Sequence, residues 1–194
     1  MPRLVPPVVP IGRMRALGHP TITAGPGVQL RPWAPSDADA LIDAFQDGEI
    51  RRWHLRELAS PEEAQAWIAA WSSRWEAETD GSWAIVGTGG GEVRGQVGLR
   101  SVTLEFGQAQ MSYWVRPAYR GRGTASSAVA AAASWALHEL GLHRLEVHHS
   151  TENDGSCRVA ERAGFELEAV LRSALLHEDG WHDVHLHARV RDRT

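Results

Sequence analysis

The chain has 194 residues, of which 43% are hydrophobic, and this length suits one compact domain with a buried core. It contains no lysine, so all 20 cationic side chains are arginines, and 24 acidic residues give a net charge of −4. We therefore expect no nucleic-acid partner bound through a basic surface. The single cysteine, Cys157, excludes an internal disulfide framework and a multi-cysteine zinc cluster, and it agrees with a cytoplasmic location. Prolines break the apolar stretch at 4–11, so we expect no membrane partner.

The first 26 residues mix proline, glycine and arginine without a hydrophobic period. We expect an irregular N-terminal arm over 1–26, which either folds over the domain or stays mobile, and a single domain over 27–194. A short strand is predicted at 28–30. Ser36 then begins a helix, which ends before Gly48.

A second helix is predicted from Ser60 onward, because Pro61 occupies its first turn and Glu63 the capping-box position. Tryptophan recurs on one face of this helix at helical spacing: Trp67, Trp71 and Trp75. Such a stripe ordinarily packs in the core. The alternative is an aromatic wall for the groove of an acceptor substrate.

Three antiparallel strands follow at 83–86, 93–102 and 109–115, joined by glycine-containing turns. The remaining elements are a long helix at 123–140, a strand at 144–148, a short helix at 155–163, and closing strands at 165–171 and 184–190. The predicted order is β-α-α-β-β-β-α-β-α-β-β. It indicates an α/β fold with a mixed, mostly antiparallel twisted sheet flanked by helices, and it excludes a doubly wound parallel sheet.

The segment with the clearest chemical signal is 113–125, where a strand enters a turn that opens the long helix. Backbone N–H groups at a helix N-terminus attract anions, and Gly121 and Gly123 let a ligand approach the backbone closely. Arg120 and Arg122 add positive charge. The absence of lysine rules out a Walker lysine, which disfavours a nucleoside-triphosphate site. Taken alone, the string also fits a tight turn with exposed arginines.

The residues of this turn resemble the GNAT superfamily of acyl-CoA N-acyltransferases. Residues 120–125, Arg-Gly-Arg-Gly-Thr-Ala, match that family's Arg/Gln-x-x-Gly-x-Gly/Ala signature. Residues 153–156, Asn-Asp-Gly-Ser, and the following helix that ends in Gly164 and Phe165 are similar to a second family segment. Three further segments resemble the RimJ/RimL-type branch: 51–53, 168–172 and 180–183.

The resemblance implies that the strand ending at 113–115 diverges from the strand at 144–148, and that acyl-CoA lies between them like an added strand. The implied cofactor-binding residues are Tyr113, Trp114, Val115, Arg120, Gly121, Arg122, Gly123, Thr124, Ala125, Ser126, Asn153 and Ser156. Backbone N–H groups of 121–126 would hold the pyrophosphate, the two arginines would meet phosphate at the rim, and Asn153 would fix the pantetheine arm. A backbone N–H near Val115 would stabilise negative charge on the thioester oxygen.

Two residues are candidates for proton transfer in this reading. Ser156 is the candidate donor to the departing thiolate, with a helix N-cap or first-turn serine as the alternative. Relatives of the RimJ/RimL type often carry a glutamate at the position of Gln110, which cannot accept a proton at neutral pH. His148 and His149 are substitutes, of which only one can face the cleft. We take His149 as the candidate base, with water or intrinsic deprotonation of the amine as the alternative.

Three histidines, His182, His185 and His187, lie close together in the sequence, so a metal site must be weighed. Tight zinc sites need three or four convergent ligands, and no cysteine is near these histidines. We therefore predict no metal.

The resemblance implies an N-acyltransferase that moves an acyl group, most simply acetyl from acetyl-CoA or another short acyl-CoA, to a primary amine by direct attack in a ternary complex. The branch favours a protein N-terminal amine, while other relatives acylate polyamines, aminoglycosides or small metabolites, so the acceptor stays open. The implied partners are acyl-CoA, an amine acceptor and a second copy of the chain in a homodimer. The alternative is a non-catalytic acyl-CoA-binding sensor or scaffold, because Gln110 replaces the glutamate.

Overall fold

The computed structural model describes residues 5–192, so the outermost residues of the predicted arm and domain lie outside it. Its strands are β1 (Ile22–Thr23), β2 (Gln29–Pro32), β3 (Gly81–Val86), β4 (Val93–Thr103), β5 (Gln108–Val115), β6 (Arg144–Ser150), β7 (Glu166–His177) and β8 (Gly180–Val190). Its helices are α1 (Arg13–Leu17), α2 (Ala38–Ala44), α3 (Gly48–His54), α4 (Pro61–Glu76), α5 (Thr124–Trp135) and α6 (Asp154–Arg162). A π-helical turn, Ala136–Leu140, continues α5 until Gly141 ends it in the left-handed conformation. None of these helices has the length and apolar character that crossing a bilayer requires.

The described strands form one sheet in the order β1-β2-β3-β4-β5-β6-β8-β7. Every neighbouring pair is antiparallel except β5 and β6, which run parallel because α5 crosses over between them. The predicted mixed, mostly antiparallel sheet flanked by helices is therefore confirmed.

Apolar side chains fill both faces of the sheet. On one face, the larger core packs α1, α5 and α6 against the strands and contains Trp75, Trp83 and Leu145. On the other face, a smaller core packs α2 and α4 and contains Trp71 and Trp114. The tryptophan stripe of α4 is therefore divided between the two cores.

The described part of the N-terminal segment is packed on the domain, as one of the two expectations for 1–26 had it, but it contains the regular elements α1 and β1. The buried carboxylate of Glu78 accepts hydrogen bonds from the backbone N–H groups of Gly12, Met14 and Arg15 at distances of 2.6, 2.8 and 3.2 Å. The side chain of Met14 is fully buried. This short helix depends on a partner 64 residues away, which no local pattern reveals.

Helix α3 was also not predicted, since the sequence analysis placed no element between the helix that ends before Gly48 and the helix that starts at Ser60. Asp47 caps it by accepting a hydrogen bond from the N–H of Ile50 at 3.0 Å. Ile50 is its one buried side chain, so the helix lacks the apolar stripe on which sequence patterns depend.

Candidate active site

Strands β5 and β6 separate part way along their length. Their parallel pairing ends at Gln110↔Glu146, so Met111–Val115 of β5 and Val147–Ser150 of β6 are not paired with each other. The gap opens into a cleft of about 860 Å³, which is also lined by the start of α5 and the first turns of α6. The divergence implied by the family resemblance is therefore present in the structure.

The backbone of β5 presents N–H groups to this cleft. Arg116 donates its N–H to Arg94 in β4 at 2.8 Å, and the hydrogen-bonding direction alternates along a strand. The N–H and C=O groups of Tyr113 and Val115 therefore point away from β4, toward the gap. Both carbonyls are covered: the oxygen of Tyr113 lies 3.1 Å from Nε2 of His54, and that of Val115 accepts from Nε of Arg120 at 3.0 Å.

The turn between β5 and α5, where we expect an anion to bind, has a backbone form that suits this role. Gly121 and Gly123 have φ angles of +74° and +77°, a region that favours glycine, and no atom lies within 4 Å of where a Cβ would stand on either residue. Helix α5 then begins at Thr124, whose hydroxyl donates to the carbonyl of Tyr119 at 3.2 Å. Three residues of its first turn line the cleft: Thr124, Ala125 and Ser126.

The two arginines of the turn have different environments. Arg120 forms an ion pair with Asp47 in addition to its bond with Val115, so it ties the turn to the start of α3 and is not free at the rim. Arg122 is exposed and makes no ion pair within residues 5–192. It is not among the residues that line the cleft, so its contact with phosphate stays a prediction, whereas Arg120 has a positioning role that the sequence did not indicate.

Ser156 lies in the first turn of α6 and forms a pair with the side chain of Tyr113. Its Oγ is 2.7 Å from the Tyr113 phenol, which also donates to the Ser156 carbonyl at 3.1 Å. Asn153 is the N-cap of this helix, because its Oδ1 accepts from the Ser156 N–H at 2.9 Å. Ser156 is therefore not the cap. Burial raises the pKa of Tyr113 to about 12, which keeps the phenol protonated.

His149 lies on the opposite face of β6 from His148. Its Nδ1 is 2.8 Å from the carbonyl oxygen of Ser150, and its Nε2 is buried without a hydrogen-bond partner. The ring packs against His185 and His187, with centroid distances of 5.3 and 5.2 Å. Burial lowers the pKa of His149, so the imidazole is neutral.

The expectation that no cysteine lies near His182, His185 and His187 is wrong. Helix α6 packs over β6 and β8 and brings Sγ of Cys157 to 3.8 Å from Nε2 of His187. His182 is separate from this group, because its Nδ1 is 2.7 Å from Oγ of Ser150 and its Nε2 is 2.8 Å from Asp179. Only the three-dimensional packing of elements far apart in the chain reveals the proximity of Cys157.

Gln110 is not an acid, but the carboxylate of Glu146 lies beside it on β6. Gln110 is exposed and is in register with Glu146 of β6, whose side chain accepts from Arg144 at 2.7 Å and lies 2.9 Å from Nε2 of His148. Burial alone would raise the pKa of Glu146, but the hydrogen bonds from Arg144 and His148 lower it below its usual value. Glu146 is therefore a paired carboxylate and not a free base.

A second cavity, of about 370 Å³, lies between the sheet and helices α2 to α4. Aromatic side chains form much of its wall: Phe45, Trp67, Trp71 and Trp114. Polar groups of the sheet line it as well: Ser82, Gln96 and Ser112. We call it the aromatic cavity. Trp67 and Trp71 thus belong to a cavity wall, whereas Trp75 stacks on His19 in the larger core with a centroid distance of 4.0 Å.

His54, a residue that the sequence analysis did not single out, joins the two cavities. It lines both the cleft and the aromatic cavity, as do Ser112 and Trp114. Burial lowers the pKa of His54 to about 4, so the imidazole is neutral. Because its Nε2 faces the Tyr113 carbonyl, that nitrogen carries the proton, and Nδ1 is an acceptor with no partner within residues 5–192.

Helix α3 forms part of the cleft wall and contacts the hairpin of β7 and β8. Arg52 forms ion pairs with Glu152 and Asp179 at 3.3 and 3.5 Å, and the Trp53 ring contacts that of His177 with a centroid distance of 5.6 Å. The hairpin of β7 and β8 is thereby held against α3.

Comparisons with known proteins agree with this geometry. A family model described as an acetyltransferase (GNAT) domain matches residues 28–166. The chain is 26% identical over 165 residues to the uncharacterized N-acetyltransferase YoaA of Bacillus subtilis, covering 84% of this chain and 93% of that one. It is 33% identical over 84 residues to the ribosomal-protein-serine acetyltransferase of Escherichia coli, covering 43% of this chain and 47% of that one.

Among solved structures, RimL, a ribosomal L7/L12 alpha-N-protein acetyltransferase in complex with coenzyme A, has the same fold. The TM-score is 0.81 at 20% identity, and the match covers 89% of this chain and 99% of that one. The family match extends over most of the chain and confirms the resemblance drawn from the sequence. The chain belongs to the family of GNAT acetyltransferase domains.

Proposed function

We propose that this protein transfers an acyl group, most simply acetyl, from acyl-CoA to a primary amine by direct attack within a ternary complex. The observation that carries the proposal is the divergence of β5 from β6 directly above the N-terminus of α5. One opening thus combines a strand edge rich in N–H groups with an anion-attracting helix end.

The chemistry of the cleft fits acyl-CoA. The turn at 121–126 offers backbone N–H groups to a pyrophosphate, and the open space above Gly121 and Gly123 leaves room for the phosphates. Amide carbonyls of a pantetheine arm would accept hydrogen bonds from the edge of β5, whose own carbonyls are already covered. The Nδ2 group of Asn153 is available to such an arm, because only its Oδ1 is used in capping α6.

The bound thioester supplies an acyl carbon that is open to attack by an amine. The N–H of Val115 points toward the gap and would stabilise the negative charge that develops on the thioester oxygen. Ser156 would protonate the departing sulfur. When the Tyr113 phenol donates to Ser156 Oγ, the serine proton is free for the sulfur; the phenol proton replaces it on the serine, and water that has taken the proton of the amine returns one to the phenol, so the two hydroxyls act as a relay.

The amine acceptor would enter through the aromatic cavity. This cavity meets the cleft at His54, Ser112 and Trp114, so an amine lying there can reach the acyl carbon. Neutral His54 would accept a hydrogen bond from the amine at Nδ1 and orient its lone pair toward the cleft. A protein N-terminus is the acceptor class we propose, because the structurally similar RimL is an alpha-N-protein acetyltransferase.

The proton of the amine requires little help from the protein. An α-amino group has a pKa of about 7.7 to 8.0, so a substantial fraction is neutral at neutral pH, and water can take the proton. The assignment of His149 as the base stays a prediction. Its buried position among other histidines favours a role inside the protein.

The test is an assay of thiol release. Each reaction contains the purified protein, acetyl-CoA and one amine. The amines are peptides with free N-termini, the same peptides with acetylated N-termini, polyamines and aminoglycosides. Free CoA thiol and the mass of the product are measured. We expect turnover with free N-termini and none with blocked ones.

Two other outcomes would contradict the proposal. Turnover with polyamines or aminoglycosides alone would overturn the acceptor class and leave acyl transfer intact. Saturable binding of acetyl-CoA without turnover on any amine would favour the sensor or scaffold.

A further inference from the structure

Four side chains with metal-binding atoms converge beneath α6: His149 of β6, Cys157 of α6, and His185 and His187 of β8. We call them the His/Cys cluster. One potential ligand atom from each lies within 4.8 Å of the corresponding atoms of the other three. The register explains the arrangement, because His149 pairs with His185 and Val147 pairs with His187, which places all three imidazoles on one face of the sheet.

Two nitrogens of this cluster lack partners. His149 Nε2 and His185 Nδ1 are buried and form no hydrogen bond with the described residues, while His187 directs its Nε2 toward Sγ of Cys157. His149 is 5% exposed and His187 is 0% exposed. Each unsatisfied buried polar group costs about 1 to 3 kcal/mol, so an empty cluster would be a considerable burden on the fold.

The His149 ring is oriented as a metal ligand requires. Its Nδ1 lies 2.8 Å from the Ser150 carbonyl and can donate to it, which leaves the Nε2 lone pair directed into the cluster. Metal-bound histidines typically donate their second N–H to a carbonyl or carboxylate in this way, which fixes the tautomer.

The spacing suits a tetrahedral zinc site. With Zn–N distances of about 2.0 Å and a Zn–S distance of about 2.3 Å, sulfur and nitrogen ligands stand about 3.6 Å apart. Sγ of Cys157 lies 3.8 Å from Nε2 of His187. The other ligand atoms would need to move inward by about 1 Å or less, which side-chain rotation allows.

We propose that His149, Cys157, His185 and His187 bind one transition-metal ion, with Zn²⁺ as the principal occupant. Three neutral imidazoles and one thiolate form the ligand set, and the thiol proton passes to solvent when the metal binds. Burial and the nearby Glu161 raise the pKa of the Cys157 thiol above its ordinary value. Tetrahedral nitrogen and sulfur ligands select zinc or cobalt over magnesium or calcium.

Such an ion would pin α6 to β6 and β8. Cys157 is the next residue after Ser156, so the metal would also fix the first turn of the helix that carries the Tyr113 contact. The role is structural, because all four ligand positions are taken by the protein and none is left for a substrate.

The test uses Co²⁺ as a spectroscopic probe in the full-length protein, which is freed of metal with a chelator and carries no histidine tag. We expect one ion per chain, the intense visible bands of tetrahedral cobalt, and a thiolate-to-cobalt charge-transfer band in the near ultraviolet. One equivalent of Zn²⁺ should remove these bands and raise the melting temperature.

Three variants locate the ion. Cys157→Ser should lose the charge-transfer band and at least tenfold in metal affinity, while His138→Asn, an exposed histidine on the π-helical turn, should change neither. Asp179→Asn tests the other potential group of ligands, Glu152, Asp179 and His182. We expect it to leave binding intact.

The proposal is overturned if the wild-type protein shows no thiolate band with Co²⁺, or if Asp179→Asn rather than Cys157→Ser abolishes uptake. If Cys157→Ser does not fold, the wild-type cobalt spectrum and the zinc-dependent melting temperature still decide whether the protein binds a metal through a thiolate. These readouts do not depend on transferase activity, so they succeed or fail independently of the proposed function.

Discussion

The phenol of Tyr113 lies 2.7 Å from Oγ of Ser156, which ties the strand on one side of the cleft to the helix that follows the strand on the other side. Ser156→Ala should lower kcat by about 100-fold with little change in the Kd for acyl-CoA, because proton donation matters only as the carbon–sulfur bond breaks. Steady-state kinetics and calorimetric binding measure the two quantities. Ser72→Ala, on the exposed face of α4, is the control.

Tyr113→Phe tests the relay in the same assays. We expect a smaller loss of kcat than for Ser156→Ala, and a double variant no slower than Ser156→Ala alone, because the two hydroxyls act as a unit. Additive losses in the double variant would show that the hydroxyls act separately. A loss confined to acyl-CoA affinity would remove both from proton transfer.

Gly123→Val should abolish binding of CoA. The φ of +77° strains any β-branched residue, and the side chain would enter the open space in front of the helix N-terminus. Calorimetry measures binding, and far-UV circular dichroism checks the fold. Gly27→Val is the matched control, because Gly27 has a similar φ of +71° and equally open surroundings in a turn between β1 and β2. Equal loss of binding in both variants would point to backbone strain rather than to a blocked site.

Glu78→Gln should lower the free energy of unfolding by about 2 to 3 kcal/mol. The substitution replaces one acceptor oxygen by an NH₂ group that faces the N–H groups at the start of α1. Urea denaturation measures the effect. Glu76→Gln, on the exposed side of α4, should change stability by less than about 0.5 kcal/mol. Equal stabilities of the wild-type and Glu78→Gln proteins would mean that α1 does not depend on this carboxylate.

Stability should fall as the pH is lowered from about 6.5 to about 4, partly because of His19. Burial lowers the pKa of His19 to about 4, below its value of about 6.5 in an unfolded chain. The unfolded state therefore binds more protons in this window, and stability that is complete above pH 6.5 is lost toward pH 4. His19→Phe keeps an aromatic ring against Trp75. It should reduce the slope of the free energy of unfolding against pH by up to about 1.4 kcal/mol per pH unit.

Urea titrations at a series of pH values give this slope. His54, which has a similarly low pKa, should leave part of the slope in the variant. An unchanged slope in His19→Phe would mean that His19 does not titrate differently in the two states. His138→Phe is the matched exposed control.

The sequence predicted those parts of the fold that depend on local patterns. The strands from β2 onward, the long crossover helix and the glycine turn each have a hydrophobic period, a cap or a breaker that shows without tertiary context. Helices α1 and α3 have neither the length nor an apolar stripe, and their stability comes from Glu78 and from contacts with the β7 and β8 hairpin.

The site was predictable to a similar extent. The backbone positions around Gly121 and Gly123 could be inferred from the motif, since a motif constrains the main chain. The pairing of Tyr113 with Ser156, the placement of His54 and the approach of Cys157 to His187 could not. Each joins residues more than 29 positions apart, and no sequence pattern reports which side chains meet after the sheet and α6 have packed together.

The covered carbonyls of Tyr113 and Val115 give the split sheet an unusual property. An internal gap in a sheet creates two additional edges, and unpaired edges ordinarily invite a foreign strand to add. Such a strand needs both donors and acceptors along its length. Here His54 and Arg120 occupy the carbonyls of Tyr113 and Val115 and leave the N–H groups of these residues free, so this stretch of β5 lacks acceptors for a foreign polypeptide strand but offers donors to the amide carbonyls of a pantetheine arm.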